Sequence, residues 1–409
     1  MRHLAVILTL LVIGTSPSRD RDRVFVGATV YPSPTAPAVP DATVVLHDGR
    51  IAAVGPRSSV RSPIGAETVD CSGLFITAGF WNSHVHIVTP GLLHAETATA
   101  ATLDVELDTM LNRWGFTTAF DLASVLDNTH ALQRRIEAGE IRGPHLLTTG
   151  EPLWTAPPVY IQDFLAAHHI VIPVVRSSAA AAARVRGLAL RHVDGVKLFT
   201  GTVLADGVAN MPLDMVRAAV AEAHRRRLPV FAHPQNGAGL DAAIDGSVDI
   251  LAHTAPDSPP WTPAFVTRLV SRRIALIPTL TLFDVEARRA RASDRERDEW
   301  IARMVEELRA FSSGGGQILF GTDVGYIDHF DTAMEFALMA QAGLSPRQIL
   351  ASLTTSPALR FGAMARAGRV QVGADGDLVV LDEDPMKDPR AFARVRYTVR
   401  AGRTTFAAR

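Results

Sequence analysis

The chain has 409 residues, too many for one ordinary compact domain and enough for a (β/α)8 barrel of about 250 residues with a smaller second unit. Hydrophobic residues make up 47% of the chain and charged residues 20%, a composition that excludes extensive disorder. The formal net charge of −1 gives no basis for binding nucleic acid or an anionic membrane, and it favours a small-molecule partner. The single cysteine excludes an intrachain disulfide and a thiolate-rich zinc site, so any metal must be held by nitrogen and oxygen atoms.

Residues 1–18 have the order of a secretory signal peptide: a basic start, an apolar run over residues 4–13, and small residues after it. The apolar run is about half the ~20 residues that a membrane span needs, so no stable membrane insertion is expected after removal of the signal. A first strand of the fold is the alternative interpretation, but residues 24–31 form a better strand pattern. We therefore expect a periplasmic or secreted protein.

Both ends of the remaining chain are typical of short strands and tight turns. Asp48-Gly49 between two β-rich runs indicates a hairpin, since glycine accepts the positive φ of such a turn. Residues 368–381 show the same pattern of short strands and turn residues. We expect the two ends to pair in a small β-sandwich beside the central part of the chain. The predicted units are the two parts of the sandwich, at 19–78 and 367–409, and a barrel at 79–366.

Between the two ends, strand and helix patterns alternate, which predicts repeated βα units around a parallel sheet. The predicted strands cover residues 117–122, 146–149, 195–199, 230–233, 249–253, 274–279 and 317–323. The predicted helices cover residues 179–190, 212–227, 240–244, 265–273 and 287–311. The fold class expected from this order is α/β, a (β/α)8 TIM barrel.

His84 and His86 are candidate metal ligands on the first strand of this barrel. Side chains two residues apart in a strand point to the same face, so both imidazoles can bind one ion. Such a pair is common by chance, but four later predicted strands each supply one more ligand-type residue at or near their C-terminal ends. That end of a barrel is where catalytic groups gather. These four residues are Lys197, His233, His253 and Asp323.

With these residues in place, the sequence resembles the amidohydrolase superfamily, in particular its binuclear-metal branch of imidazolonepropionase-like and prolidase-like hydrolases. The resemblance extends from about residue 24 to residue 385 and includes residues 195–199 and 373–380. It implies that one ion is held by His84, His86 and Asp323, the other by His233 and His253, and that Lys197 bridges them as its carbamate. It also implies that Asp323 is the catalytic general acid and base.

The expected cofactors are two divalent metal ions. Zinc is the metal favoured by histidine and carboxylate ligands with no redox demand, although manganese or iron would satisfy the same residues. Carbamylation of Lys197 has a chemical reason. An ammonium group has no lone pair and repels cations, whereas the carbamate is a bidentate anion.

Beyond the predicted ligands, the sequence offers weaker candidates. His329 follows the last predicted strand, where similar hydrolases have a histidine that contacts the substrate. Tyr160, on the long loop after the third strand, is a candidate for orienting a carbonyl or carboxylate. Glu335, on a predicted helix over residues 332–342, is interpreted as a supporting carboxylate rather than a catalytic one.

The predicted activity is hydrolysis of an amide or related C–N bond by a metal-bridging hydroxide, with a dipeptide, an N-acyl amino acid or a cyclic amide as substrate. A lactonase, esterase-like or phosphotriesterase-like activity is the alternative, because the same centre activates water against esters. A deaminase is less favoured, since His233 is followed by Pro234, Gln235 and Asn236 and not by the expected acid. A non-catalytic binding protein on the same fold is the remote alternative. A homo-oligomer stays open.

Overall fold

The computed structural model describes residues 22–255 and 257–408. The predicted signal peptide at residues 1–18 lies outside them. Within these ranges the strands are, in chain order, β1 (Arg23–Val30), β2 (Val39–His47), β3 (Arg50–Pro56), β4 (Glu67–Asp70), β5 (Phe75–Ala78), β6 (Phe80–Val85), β7 (Phe116–Asp121), β8 (His145–Thr148), β9 (Val196–Phe199), β10 (Gly201–Leu204), β11 (Gly207–Asn210), β12 (Val230–His233), β13 (Ile250–Ala252), β14 (Ala275–Ile277), β15 (Leu378–Leu381), β16 (Val395–Arg400) and β17 (Arg403–Ala407).

The α-helices of the described ranges are α1 (Ala100–Met110), α2 (Leu126–Glu137), α3 (Gln162–Ala167), α4 (Ser178–Leu190), α5 (Leu213–Arg225), α6 (Gly237–Asp245), α7 (Pro263–Ser271), α8 (Leu280–Arg289), α9 (Asp294–Ser313), α10 (Ala333–Gln341), α11 (Pro346–Leu353) and α12 (Thr355–Arg360). Short 3₁₀ helices lie at Asn112–Trp114, Val159–Ile161 and Pro389–Ala393. No helix in these ranges combines the length and the apolar character needed to cross a bilayer.

Two sets of parallel strands form the central part of the molecule. β6, β7 and β8 make one set, and β9, β12, β13 and β14 make the other. Helices connect successive strands, as parallel pairing requires. Every residue of β6, β7 and β9 is buried, which is usual for strands covered on both faces. A parallel bridge between Leu153 and Leu198 joins the two sets.

The segment 317–323, predicted as a strand, lies between β14 and β6 without forming a regular strand. Leu319 N donates to Leu276 O at 2.9 Å, and Ser83 N donates to Phe320 O at 2.7 Å. Its end departs from extended geometry because Asp323 has a φ of 63°, in the left-handed region. The prediction of a continuous strand over 317–323 is therefore wrong, although the segment occupies the position that an eighth barrel strand would take.

The prediction of one long helix over residues 287–311 is also wrong, because the chain forms two helices there, α8 and α9. Arg291 adopts a φ of 56°, which ends the first helical path. Ser293 then begins α9 with a capping box, in which its side chain accepts from Glu296 N and Glu296 accepts from Ser293 N. The break places α8 against the site described below and leaves α9 as the longer outer helix.

Strands from both ends of the described chain form one sheet with the order β17-β16-β15-β5-β1-β2-β3, and β4 pairs with β1. β5 and β15 are antiparallel, with Ile76 opposite Val380. The Asp48-Gly49 turn connects β2 and β3, with positive φ at both residues. The two ends thus pair, while the division of this sheet into two sandwich layers and the domain boundaries stay predictions.

Candidate metal centre

His84 lies near the end of β6 and His86 lies just beyond it. Their ring centroids are 5.2 Å apart, and the side chain of His84 is fully buried while that of His86 is 15% exposed. Asn82 fixes this strand to the segment opposite. Its Oδ1 accepts from the backbone N–H groups of His84 and Thr322, each at 3.2 Å, and its Nδ2 donates to Thr322 Oγ1 at 2.7 Å.

Asp323 meets both histidines with one carboxylate oxygen. Its Oδ1 is 3.0 Å from His84 Nε2 and 2.8 Å from His86 Nε2. Burial alone would raise the pKa of Asp323, but its electrostatic interactions with His84 and His253 and the hydrogen bonds from His84 and His86 hold the pKa well below its usual value. The Asp323 carboxylate is therefore ionised although it is buried, and a carboxylate must be ionised to bind a metal.

His233 at the end of β12 and His253 directly after β13 complete the histidine cluster. The ring of His253 lies 4.6 Å from that of His84 and 4.8 Å from that of His233, between centroids. Burial lowers the pKa of His84 and His233 to about 3 and that of His253 well below its usual value. These imidazoles are therefore neutral and keep a lone pair for a cation.

The tautomer of His253 is set by Thr279, a residue that was not among the predicted site residues. His253 Nδ1 is 2.7 Å from Thr279 Oγ1, and this hydroxyl donates its only proton to Pro278 O at 2.8 Å. Thr279 must therefore accept from His253 Nδ1–H, which leaves the lone pair on Nε2. His233 has a different partner, since its Nε2 lies 3.3 Å from Gln235 Oε1.

Lys197 enters the same cluster from β9. Its Nζ is 3.5 Å from His84 Nε2, and the residue is 1% exposed. Burial lowers the pKa of the Lys197 amine to about 7. The structure thus brings together all six residues predicted from the sequence: His84, His86, Lys197, His233, His253 and Asp323.

The cluster fits a divalent metal. Ligand atoms of His84, His253 and Asp323 all lie within 4.8 Å of one another, and these donors are the nitrogen and oxygen types that zinc and similar ions prefer. The Nε2 atoms of His84 and His86 both face the Asp323 carboxylate, so the ligand atoms converge on the place that a cation would take. His253 and Asp323 both have positive φ, 90° and 63°. Strained backbone of this kind clusters at functional sites.

The cluster opens into a cavity of about 1000 Å³. His86, Lys197, His233, His253 and Asp323 line it. Eight aromatic residues also line it and are called the aromatic lining below. They are Trp154, Tyr160, Phe164, Phe199, Phe283, Trp300, Tyr326 and Phe330. A large concave apolar space with a few convergent polar groups is the usual form of a small-molecule site.

The two predicted substrate contacts differ in position. Tyr160 lines the cavity, 40% exposed, with its ring centroid 5.3 Å from that of Tyr326. His329 is exposed, and Asp328 and Phe330 on either side of it line the cavity in its place. A contact of either residue with substrate stays a prediction.

Glu335 supports the site from α10. Its carboxylate accepts from Leu280 N at 2.8 Å, from Thr281 N at 2.7 Å and from Thr281 Oγ1 at 2.8 Å, at the start of α8. Burial raises the pKa of Glu335 to about 7 against these hydrogen bonds, which lower it. Since Leu280 follows Thr279, the carboxylate fixes the backbone beside the hydroxyl that orients His253.

Comparison with known proteins gives a consistent result. A sequence model described as the amidohydrolase family matches residues 75–405. The chain is 41% identical over 71 residues to an imidazolonepropionase of Rhizobium rhizogenes, a match that covers 17% of each protein. It is 24% identical over 188 residues to an ochratoxinase of Aspergillus niger, covering 43% of this chain and 37% of the ochratoxinase. The matched stretches therefore span well under half of these relatives.

Solved structures match over nearly the whole chain. A Xaa-Pro dipeptidase has a TM-score of 0.80 at 17% identity, with 95% of this chain and all of the other covered. The A. niger ochratoxinase has a TM-score of 0.76 at 18% identity, covering 95% and 96% of the two chains. At these identities the likeness concerns the fold alone, and it implies a TIM barrel for the parallel βα units.

Proposed function

Because the chain belongs to the amidohydrolase family, whose members are generally metal-dependent hydrolases of amide-type bonds, we propose that it cleaves an amide or related C–N bond with two divalent metal ions bound in this cavity. The observation that carries the proposal is the convergence of six ligand-type side chains, from positions 84 to 323, on one buried place beside a cavity of about 1000 Å³.

His84, His86 and Asp323 would hold one ion, and His233 and His253 the other. The short distances of Asp323 Oδ1 to both early histidines support the first group. The ring contact of His253 with His233 supports the second. His253 also lies against His84, so the two groups are adjacent, as a paired centre requires.

Lys197 would bridge the two ions as its carbamate. The neutral amine attacks carbon dioxide, an N–C bond forms, and one proton leaves the nitrogen, so that a cation is replaced by a bidentate anion. The chain contains two lysines and 39 arginines, and Lys197 is one of the two. An arginine could not undergo this step because its guanidinium stays protonated.

When bound, the ions would supply Lewis acidity toward the substrate carbonyl and lower the pKa of water. The chain's own residues would do the rest. The carboxylate of Asp323 takes a proton from the attacking water and returns it to the departing nitrogen. Thr279 holds the His253 ring in one tautomer, and the buried cluster excludes bulk water.

The test is elemental analysis of the purified protein together with a panel of amides and lactones. We expect close to two divalent ions per chain, zinc above manganese and iron, and hydrolysis of amides that is lost on chelation and restored by the metal. Protein with no divalent metal would overturn the proposal. Turnover of lactones without turnover of any amide would replace it with a lactonase.

A further inference from the structure

The aromatic lining is concentrated far beyond its share of the chain. The cavity is lined by 36 of 409 residues, yet it holds eight of the chain's 26 phenylalanine, tryptophan and tyrosine residues. The ring of Phe199 stacks on His233, with centroids 4.7 Å apart, and Trp154 packs edge-on against Phe199 at 5.7 Å. Aromatic surface thus begins at the predicted ligands and continues through the cavity. Such a surface binds flat rings well because it buries a large area with specific ring geometry.

The charged groups of the cavity are mostly acidic. Glu106, Asp257, Glu286 and Asp328 line it in addition to Asp323. Apart from Lys197, Arg289 is the sole lysine or arginine among the described lining residues. A ligand with a free carboxylate would therefore meet several like charges away from the metal centre.

Arg289 is already occupied by partners of its own chain. Its Nη1 donates to Glu286 Oε1 at 2.9 Å and its Nη2 donates to Tyr326 O at 3.2 Å, while the guanidinium lies 5.1 Å from the Tyr326 ring. Tyr326 Oη donates to the same Glu286 oxygen at 3.1 Å. The cation is thus neutralised within the cavity wall, and binding a substrate carboxylate would first require breaking this arrangement.

From the aromatic lining, the acidic groups of the cavity and the pairing of Arg289, we propose that the substrate is an uncharged amide-type compound with a large ring-bearing apolar group. It is not a dipeptide or N-acyl amino acid with a free carboxylate. This inference rests on the proposed function, because it names the substrate class of the same site. The ring-bearing group lies against the aromatic lining, and the scissile bond lies at the predicted metal centre.

The first experiment measures kcat/KM of the metal-loaded enzyme for four matched amides: N-(2-naphthoyl)glycinamide, N-(2-naphthoyl)glycine, N-acetylglycinamide and N-acetylglycine. We expect the naphthoyl amides to exceed the acetyl amides by about 100-fold, since the ring fills apolar space that the methyl group leaves empty. We expect kcat/KM for each glycinamide to exceed kcat/KM for the corresponding glycine, which has a free carboxylate, by about 10-fold or more. Equal or better turnover of the acetyl amides, or of the free carboxylates, would overturn the inference and leave the proposed function intact.

The carboxylate selectivity has a specific cause, which a variant isolates. Glu286→Gln should release Arg289 and raise the glycine-to-glycinamide ratio of kcat/KM by about 3- to 10-fold. Glu306→Gln is the matched control, because Glu306 also pairs with the arginine three residues later, Arg309, on the exposed face of α9 outside the cavity. An unchanged ratio in Glu286→Gln would contradict the role given to the Arg289 pair.

If none of the four amides is hydrolysed, a binding measurement with compounds that cannot be cleaved tests this inference separately from the proposed function. Calorimetry should give 2-acetonaphthone, which has no amide bond to cleave, a Kd about 10-fold or more below that of 6-acetyl-2-naphthoate. Tyr160→Ala should weaken binding of the ketone while Tyr160→Phe should retain it, because the ring and not the hydroxyl makes the surface. Failure of turnover with this binding pattern would refute the amidase and keep the ligand class. No binding of the neutral ketone would refute the ligand class.

Discussion

Lys197 is the residue on which the proposed bridge depends, and the composition makes it easy to test. Lys197→Ala should lower kcat/KM by at least about 100-fold and reduce the metal content toward one ion per chain, because the bridging ligand is gone. Short carboxylates such as propionate should restore part of the activity by entering the space of the missing side chain. The measurements are elemental analysis and a rate series in added carboxylate.

Lys387, the second lysine, is the natural control because it is exposed. Protein equilibrated with ¹³C-labelled carbon dioxide should give one carbamate signal in the carbon NMR spectrum, absent in Lys197→Ala and retained in Lys387→Ala. Normal turnover in Lys197→Ala would contradict the bridge.

Gly325 shows how closely the backbone surrounds the predicted ligands. It has a φ of +100°, and a Cβ at this position would lie 1.8 Å from the carbonyl oxygen of His86. Gly325→Ala should therefore displace the backbone of His86 and lower both metal content and kcat/KM, the latter by about 10-fold or more. Gly343→Ala is matched in backbone strain, with a φ of +90° and no atom within 4 Å of a Cβ.

The comparison of the two glycine variants separates strain from displacement. Gly343→Ala should lower the free energy of unfolding by about 1 kcal/mol without changing the metal content. If both variants lost metal equally, the contact with His86 would not be the cause.

The predicted ligands could be found from the sequence because the four histidines lie at or just beyond strand ends, where topology alone brings residues together. Lys197 lies within β9, and Asp323 ends the segment in the position of an eighth strand. Glu335 lies on a helix and could not be found in this way, and Thr279 ends the predicted strand over residues 274–279 but is not a ligand-type residue. Thr279 reaches His253 across 26 positions and Glu335 reaches α8 across 55, and no periodic pattern links either pair. The aromatic lining could not be found either, since its members come from a strand and from separate loops and helices.

At the scale of elements, the start of α8 is stabilised by a single carboxylate from α10. Glu335→Ala should lower the free energy of unfolding by about 2–4 kcal/mol, because it leaves two buried backbone N–H groups and one hydroxyl without an acceptor. Glu335→Gln keeps an acceptor and should cost less. Urea unfolding measures both.

The same group predicts a pH dependence with a definite sign. Burial raises the pKa of Glu335 to about 7 from an ordinary value of 4.5. Between these values the folded chain holds a proton that the unfolded chain has released, so the stability contributed by this group is largest below pH 4.5 and falls as the pH rises to about 7. The stability difference between the natural protein and Glu335→Gln should therefore shrink by up to about 3 kcal/mol over this window. A difference that stayed constant over this window would mean that the carboxylate is ionised throughout it.

Two elements were predicted wrongly, and the reasons are local. The pattern over residues 287–311 stays helical in composition, and only the left-handed Arg291 and the capping box at Ser293 divide it. The end of the segment 317–323 turns because Asp323 adopts a positive φ. A run of β-forming residues does not predict this conformation.

At the scale of the whole molecule, the sheet made by the two ends is close along the chain to the predicted metal centre. β5 leads into β6 through Gly79 alone, so the strand that pairs with β15 continues into the strand that carries His84. Ile76→Ala, at a fully buried position between β1 and β15, should lower the free energy of unfolding by about 2–5 kcal/mol. The same change at Ile64, which is fully exposed, should have almost no effect.

The unfolding curve of Ile76→Ala also tests whether the sheet and the barrel form one cooperative unit. A single transition seen both by circular dichroism and by metal release is expected, because β5 and β6 are joined so directly. Two separated transitions would show that the sheet melts on its own.

The scarcity of lysine has a practical outcome for anyone handling this enzyme. Lys197 is buried beside the cavity and Lys387 faces solvent, so an amine-directed coupling reagent has Lys387 as its accessible side-chain target besides the α-amino group. Attachment to a sensor surface or a resin would then orient most molecules alike. The buried Lys197 would be spared the reagent.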